Sequence, residues 1–249
     1  DANLLWRNTL HHLAQKAVTR RVSVPWFQAL QINRSIHRPQ PTMTTETPQQ
    51  WNARYAEGNT PWDNEQPDSE LARVIQQYKI APCRMLELGC GTGTNAVWLA
   101  QRGFDVTAFD LAELAIEKAQ ARASAAKVGI KFFQGDVFSL PDLGEPFPFV
   151  FDRGVYHCVR RLDAVGFAEV VAGLTAPGGH YLTLAGNPHE PHSPEGGPPR
   201  VAAEELCREL SPHFHLVQLR EFRFDPILID GEVDEPLAWS ALWRRKADA

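Results

Sequence analysis

Leu86-Glu87-Leu88-Gly89-Cys90-Gly91-Thr92-Gly93 decides how this chain is read. Residues 83–88 form a short apolar run of strand length, and three glycines then stand at alternate positions before a helical pattern resumes over 94–102. Small residues at a strand-to-helix turn let the backbone approach a ligand closely, and the first amides of the helix face that ligand unpaired. Taken alone, the glycines also suit a tight structural turn. No Gly-Lys-Ser/Thr follows, which excludes a Walker loop, and Ala96 stands where the third glycine of the dinucleotide fingerprint belongs.

Outward from the loop, apolar runs and helical stripes alternate. Strands are expected at 104–109, 130–133, 147–151 and 180–185, and helices at 70–78, 112–126, 164–174 and 202–210. Two more strands, 216–224 and 237–244, close the chain. This order predicts one α/β domain with a seven-stranded, mostly parallel sheet flanked by helices and sites at the carboxyl ends of its strands. Asp110 ends the second strand, where a doubly wound sheet sets its carboxylate beside the glycine loop, able to accept hydrogen bonds from both hydroxyls of a ribose. It equally suits a helix cap. Asp136, in Gly135-Asp136-Val137, ends the third strand, where it could receive an adenine amino group.

The glycine loop with its two acidic followers resembles the class I S-adenosylmethionine-dependent methyltransferases. The resemblance implies a Rossmann-like fold with S-adenosylmethionine as cofactor. It makes Gly89, Gly91 and Gly93 contacts of the methionine part, Asp110 with Leu111 contacts of the ribose, and Asp136 with Val137 contacts of the adenine. Glu87 and Asp152, at the ends of the first and fourth strands, complete that set of cofactor candidates.

Trp51-Asn52-Ala53-Arg54-Tyr55-Ala56-Glu57-Gly58-Asn59-Thr60-Pro61-Trp62-Asp63 precedes the first strand. Its tryptophans suit a helix docked on the core; they also suit a cationic sulfonium, which aromatic faces attract and shield from water. The spacing W-x-x-x-Y-x-x-G-x-T-P-W-D is similar to the opening of the thiopurine, thiol and halide methyltransferase group, and Gly196-Gly197-Pro198-Pro199 continues the likeness. In that group the segment closes over the cofactor, which makes Trp51 and Trp62 lid residues. The function implied is methyl transfer to a small soft nucleophile, a thiol or sulfide, with halide or tellurite and selenite as alternatives.

Phe151-Asp152-Arg153-Gly154-Val155-Tyr156-His157-Cys158-Val159 lies where an acceptor must meet the methyl group. Arg153, Tyr156 and His157 are the catalytic candidates there, with Tyr156 or His157 as a possible proton acceptor. Asp152 and Arg153 equally suit a plain ion pair or cap. His189 and His192 lack a third ligand at diagnostic spacing, so no metal is expected, and their proline-rich loop reads as a wall over the acceptor.

Residues 1–42 carry Arg7, Lys16, Arg20, Arg21, Arg34 and Arg38 against Asp1 alone. They read as an extension, either an import segment, a docking helix or translated upstream sequence, joined through Pro39, Pro41 and Pro48 to a domain at 43–249 that starts at Met43. The expected place is the cytoplasm, or the mitochondrion if the extension is an import segment. A hydrophobic content of 43% over 249 residues supports a large core, and a net charge of −5 speaks against a nucleic-acid partner. Four cysteines show no disulfide or metal-site spacing, and no apolar run approaches the roughly 20 residues of a membrane span. A monomer with a small-molecule partner is expected. The rivals are a silent cofactor-binding module acting through the basic extension and a nicotinamide-dependent oxidoreductase.

Overall fold

The computed structural model describes residues 46–63, 65–191, 199–229 and 232–247. The expectations placed on the basic extension, on His192 and on Gly196-Gly197-Pro198 lie outside the described residues.

Helix α1 (Pro48–Glu57) opens with a reciprocal cap: the Thr47 hydroxyl accepts the Gln50 amide at 3.3 Å, and the Gln50 side chain accepts the Thr47 amide at 2.7 Å. Pro48, expected in an extended linker, is instead the first helical residue, a position whose amide has no intrahelical partner to lose. Helix α2 (Ser69–Gln77) is capped by Asp68 through the Glu70 and Leu71 amides.

Strands and helices then alternate: β1 (Arg84–Leu88), α3 (Thr94–Ala100), β2 (Asp105–Asp110), α4 (Glu113–Ala126), β3 (Lys131–Gln134), β4 (Phe147–Arg153), α5 (Val155–Leu174), β5 (Thr175–Gly186) and α6 (Ala203–Leu210). The chain ends its sheet with β6 (Phe214–Arg223), a hairpin of β7 (Ile227–Ile229) and β8 (Glu232–Asp234), and β9 (Leu237–Arg245). That hairpin pairs only with itself and has no counterpart in the expected strands.

The main sheet has seven strands in the order β3-β2-β1-β4-β5-β9-β6. The first five of these pair in parallel, and β9 runs antiparallel between β5 and β6. Both faces are covered, so side chains from one strand feed two cores. Leu86 and Leu88 pack with Val150, Tyr156, Phe167 and Trp243 on one face; Met85 packs with Leu71, Leu99, Phe149 and Phe151 on the other. Between β1 and β4 the strand order reverses, and the carboxyl ends there open the crevice in which such folds bind ligands.

Helix α5 departs most from expectation. It starts at Val155 rather than 164 and passes a break at Asp163 (φ −156°, ψ 91°), whose carboxylate accepts the Gly166 amide and restarts the helix. The sequence pattern registered the second part alone, because Arg160, Arg161 and Asp163 interrupt the apolar stripe.

Candidate functional site

The loop between β1 and α3 is built by backbone. Gly89, Gly91 and Gly93 all have positive φ (63°, 53° and 79°), which glycine adopts without steric cost. Space forbids a side chain as well: a Cβ on Gly89 would lie 2.3 Å from Val155 Cγ2, and one on Gly93 2.8 Å from Ala119 Cβ.

Asp110 fastens this loop. One carboxylate oxygen accepts the Gly91 amide at 2.8 Å and the other the Ala112 amide at 2.9 Å, so it both ties the loop and turns the chain into α4. Burial raises its pKa, and the two amides oppose that rise. Leu111 is half-buried beside it, its carbonyl accepting from Gln134 at 3.1 Å. One strand over, the Asp136 carboxylate is exposed and accepts the Phe138 amide at 2.9 Å, with Val137 buried beneath. The Gly135 amide donates to the Asp110 carbonyl, which holds the two strand ends on one rim.

Glu87 lies buried behind the loop. Burial pushes its carboxyl up to about 8, with the Asp110 charge adding and hydrogen bonds from Asn95 and the Ala96 amide subtracting. Its Oε2 has no hydrogen-bond partner among the described residues. A glycine cradle that no side chain can enter, an orphaned carboxyl oxygen behind it and two acids on the adjoining rim fit an adenosyl cofactor bearing an amino acid head.

Residues 51–63 and 65–68 lie across this loop. Trp51 and Trp62 meet edge to face with centroids 5.5 Å apart, and Tyr55 packs against Trp62 at 6.2 Å. The cation over both indoles is Arg54, 5.6 and 5.5 Å from their centroids and paired with Glu46 at 2.7 Å. The segment is fastened to α4 by Asn52, which accepts the Leu114 amide at 3.0 Å, and by Lys118, which donates to the Tyr55 carbonyl at 2.6 Å. An open cavity of about 410 Å³ lies beside it, lined by Gly58 to Pro61, Asp63, Pro226 and Ile227.

At the end of β4 the structure shows the cap and the ion pair that Asp152 and Arg153 also suit. Asp152, expected among the cofactor contacts, is fully buried: one oxygen accepts the Val155 and Tyr156 amides at 2.9 and 3.0 Å, the other the Tyr181 hydroxyl at 2.5 Å. Its carboxylate is a helix cap joined to a core tyrosine, with its pKa raised by burial to about 6. Arg153 is an anchor for the aromatic segment, donating to Asp68 at 2.8 Å and to the Trp62 carbonyl at 3.2 Å while lying 4.4 Å over Phe224.

Tyr156 and His157 also turn inward: the helix begins at Val155, and both are buried in its first turn. Tyr156 packs on Phe167, and its hydroxyl donates to Glu209 at 2.7 Å, which Arg160 also grips. His157 Nδ1 accepts the Gly186 amide at 2.9 Å, and burial with the Arg153 and Arg161 charges lowers its pKa to about 4. The imidazole is therefore neutral with its proton on Nε2, the form that cannot take a second proton near neutrality. Cys158 is a thiol pushed by burial to about 12.

Functional candidates absent from the sequence reading are Asp63, Thr92 and Asn95. Asp63 accepts the Thr92 hydroxyl at 2.6 Å, and Asn95 accepts the Asp68 amide at 2.9 Å. Their signal was there in T-P-W-D and G-T-G-T-N, but polar loop residues carry no periodicity that would pair them. Among the described residues, no group of three His, Cys, Asp or Glu is placed to hold a metal, and no helix is long and apolar enough to cross a membrane.

A family model described as Thiopurine S-methyltransferase (TPMT) matches residues 46–226. The chain is 26% identical over 170 residues to the 2-heptyl-1-hydroxyquinolin-4(1H)-one methyltransferase of Mycobacteroides abscessus, covering 68% of this chain and 72% of that one. It is 28% identical over 164 residues to probable thiol methyltransferase 2 of Arabidopsis thaliana, covering 65% and 71%. Among solved structures, that reported under "Conversion of a Disulfide Bond into a Thioacetal Group during Echinomycin Biosynthesis" superposes with a TM-score of 0.68 at 23% identity, covering 80% of this chain and 92% of the other. Likeness at that identity speaks for the fold.

Proposed function

Because this chain belongs to the thiopurine S-methyltransferase family and is an S-adenosylmethionine-dependent methyltransferase, we propose that it methylates a small soft nucleophile that arrives already ionised, a thiolate or hydrosulfide. The observation that carries this is the commitment of both expected proton acceptors, Tyr156 and His157, and of the neighbouring Asp152 carboxylate at the end of β4. Tyr156 donates to Glu209, His157 is neutral with its free lone pair taken by Gly186, and Asp152 caps α5. An alcohol, with a pKa near that of water at about 15.7, needs a base at the moment of attack; a thiol, at about 8.5, reaches its reactive form in solution.

When bound, S-adenosylmethionine supplies a methyl group on an electrophilic sulfonium. In this reading the glycine loop takes the amino acid part, Asp110 and Leu111 the ribose, and Asp136 with Val137 the adenine. Asp110 keeps acceptor capacity after its two amide bonds, since a carboxylate offers about four lone-pair sites. Trp51 and Trp62 exclude water from the methyl group and present ring faces to the positive charge. Arg153 holds the Trp62 backbone in place. Held by these residues, the cofactor would supply its methyl group to the acceptor's sulfur, and the thiolate and sulfonium charges would cancel in the products. The acceptor's proton has gone to solvent beforehand.

The test supplies thiols of different acidity, sulfide and iodide to the enzyme with S-adenosylmethionine and follows methylated product and S-adenosylhomocysteine against pH. The inflection in kcat/KM is expected to move with each thiol's own pKa and to vanish for iodide. One inflection shared by all thiols would sink the pre-ionised acceptor and point to an enzymic base; silence of every sulfur acceptor would sink the soft-nucleophile reading.

A further inference from the structure

Thr92 stands between the second and third glycines of the loop and is buried, yet its hydroxyl is not spent on its own turn. Its Oγ1 accepts from Arg122 Nη2 at 3.1 Å, and Arg122 Nε donates to the Thr92 carbonyl at 3.0 Å. A hydroxyl has one proton, so this arrangement aims it at Asp63, whose Oδ2 lies 2.6 Å away. An ionised acceptor makes this a strong class of hydrogen bond. Thr94 at the start of α3 stands 3.4 Å from the other Asp63 oxygen.

Asp63 directly follows Trp62, whose carbonyl is gripped by Arg153. The backbone carrying the Trp62 ring is thus held from two sides: from the end of β4 through Arg153, and from the glycine loop through Thr92. Of the two, only the second connects the ring to the loop.

We propose that Asp63 and Thr92 are a positioning pair that locks the aromatic segment onto the glycine loop and so sets how tightly S-adenosylmethionine and S-adenosylhomocysteine are held. This rests on the reading of the glycine loop as the cofactor site. The pair touches no reacting atom; it acts through the placement of Trp62 and the rigidity of residues 91–94. With the pair intact, the cofactor meets a site whose roof and floor are already joined, and less ordering is left to be done on binding.

Calorimetric titration of both adenosyl compounds into wild type, Asp63→Ala, Thr92→Val, Thr92→Ser and the Ala/Val double variant tests this, together with amide hydrogen exchange over residues 91–95 in the cofactor-free proteins. Each of Asp63→Ala and Thr92→Val is expected to weaken binding about tenfold, as loss of a hydrogen bond to a charged group does. The double variant should lose no more than either single one, and Thr92→Ser should restore affinity. Exchange over 91–95 should quicken in the weakened variants while β4 and β5 stay protected. Unchanged affinity in Asp63→Ala, or losses that simply add in the double variant, would overturn the pairing. Asp63 is only partly buried, so its variant decides the matter even where Thr92→Val does not fold. A wild-type protein that binds neither adenosyl compound would instead overturn the cofactor reading beneath it.

Discussion

The ends of β1 and β4 are neighbours in one sheet, separated by a single strand spacing, and they use polar residues in opposite ways. At β1 the backbone forms the surface: glycines in left-handed conformations clear a floor, and Asp110 ties that floor through the Gly91 amide. At β4 the side chains turn away: Asp152, Tyr156 and His157 are buried, each tied to the fold by hydrogen bonds. A floor made by backbone binds a ligand through shape and amides, whereas a strand end whose polar groups are consumed leaves the chemistry to the reactants. Such a division suits displacement by a soft anion, which needs alignment and a dry site more than proton transfer.

The contrast breaks first at Gly89. Replacement by alanine puts a methyl group 2.3 Å from Val155 Cγ2 at a φ of 63°, so the loop must shift. Cofactor affinity should fall by roughly a hundredfold or more, a loss of about 3 kcal/mol at least, read by calorimetry. Binding within about threefold of wild type would mean that the loop is not the floor of the site.

Glu87 sharpens the contrast through pH. Its folded pKa of about 8 lies above the ordinary 4.5, so the folded protein holds a proton that the unfolded chain has released between those values. Stability from this group is therefore greatest below about 4.5 and declines as pH rises to about 8. Glu87→Gln should remove that decline, leaving the variant more stable than wild type at pH 8.5 by on the order of a few kcal/mol relative to their difference at pH 5. Urea unfolding at the two pH values measures it, and parallel stability curves would show that the carboxyl ionises as freely in the fold as outside it.

The smallest effect belongs to Tyr156. Its conversion to Phe removes one hydrogen bond to Glu209, for about 1–2 kcal/mol of stability, and should leave kcat and its pH dependence unaltered. A changed pH profile would return the hydroxyl to the chemistry.

These differences also explain what could be read from the sequence. Alternation of strands and helices predicted the seven-stranded sheet, because parallel strands buried on both faces leave short apolar runs that side-chain chemistry alone reveals. The glycine loop at the strand-to-helix turn was legible in the identities of Gly89, Gly91 and Gly93, whereas their positive φ values are seen only in the structure. Where the side chains at 152–157 point depended instead on the residue at which α5 begins, and a shift of one residue on a helix turns a side chain by about a quarter of a turn. Gly154, at φ 93°, set that start, but the apolar stripe became regular only beyond Asp163. The Asp63–Thr92 bond joins residues 29 positions apart through loops without a period, so only coordinates bring them together.

Strand β9 lies between β5 and β6, though β6 precedes it along the chain. Until the last strand has been synthesised, β5 therefore lacks its outer neighbour and β6 has no strand of the main sheet to pair with. The sheet can be completed only when the stretch from Leu237 to Arg245 pairs with both and seats Trp243 in the core. Assembly of this protein thus has an imposed timetable: the cofactor crevice can take shape early on β1, β2 and β4, while the far half of the sheet waits for one late-arriving strand.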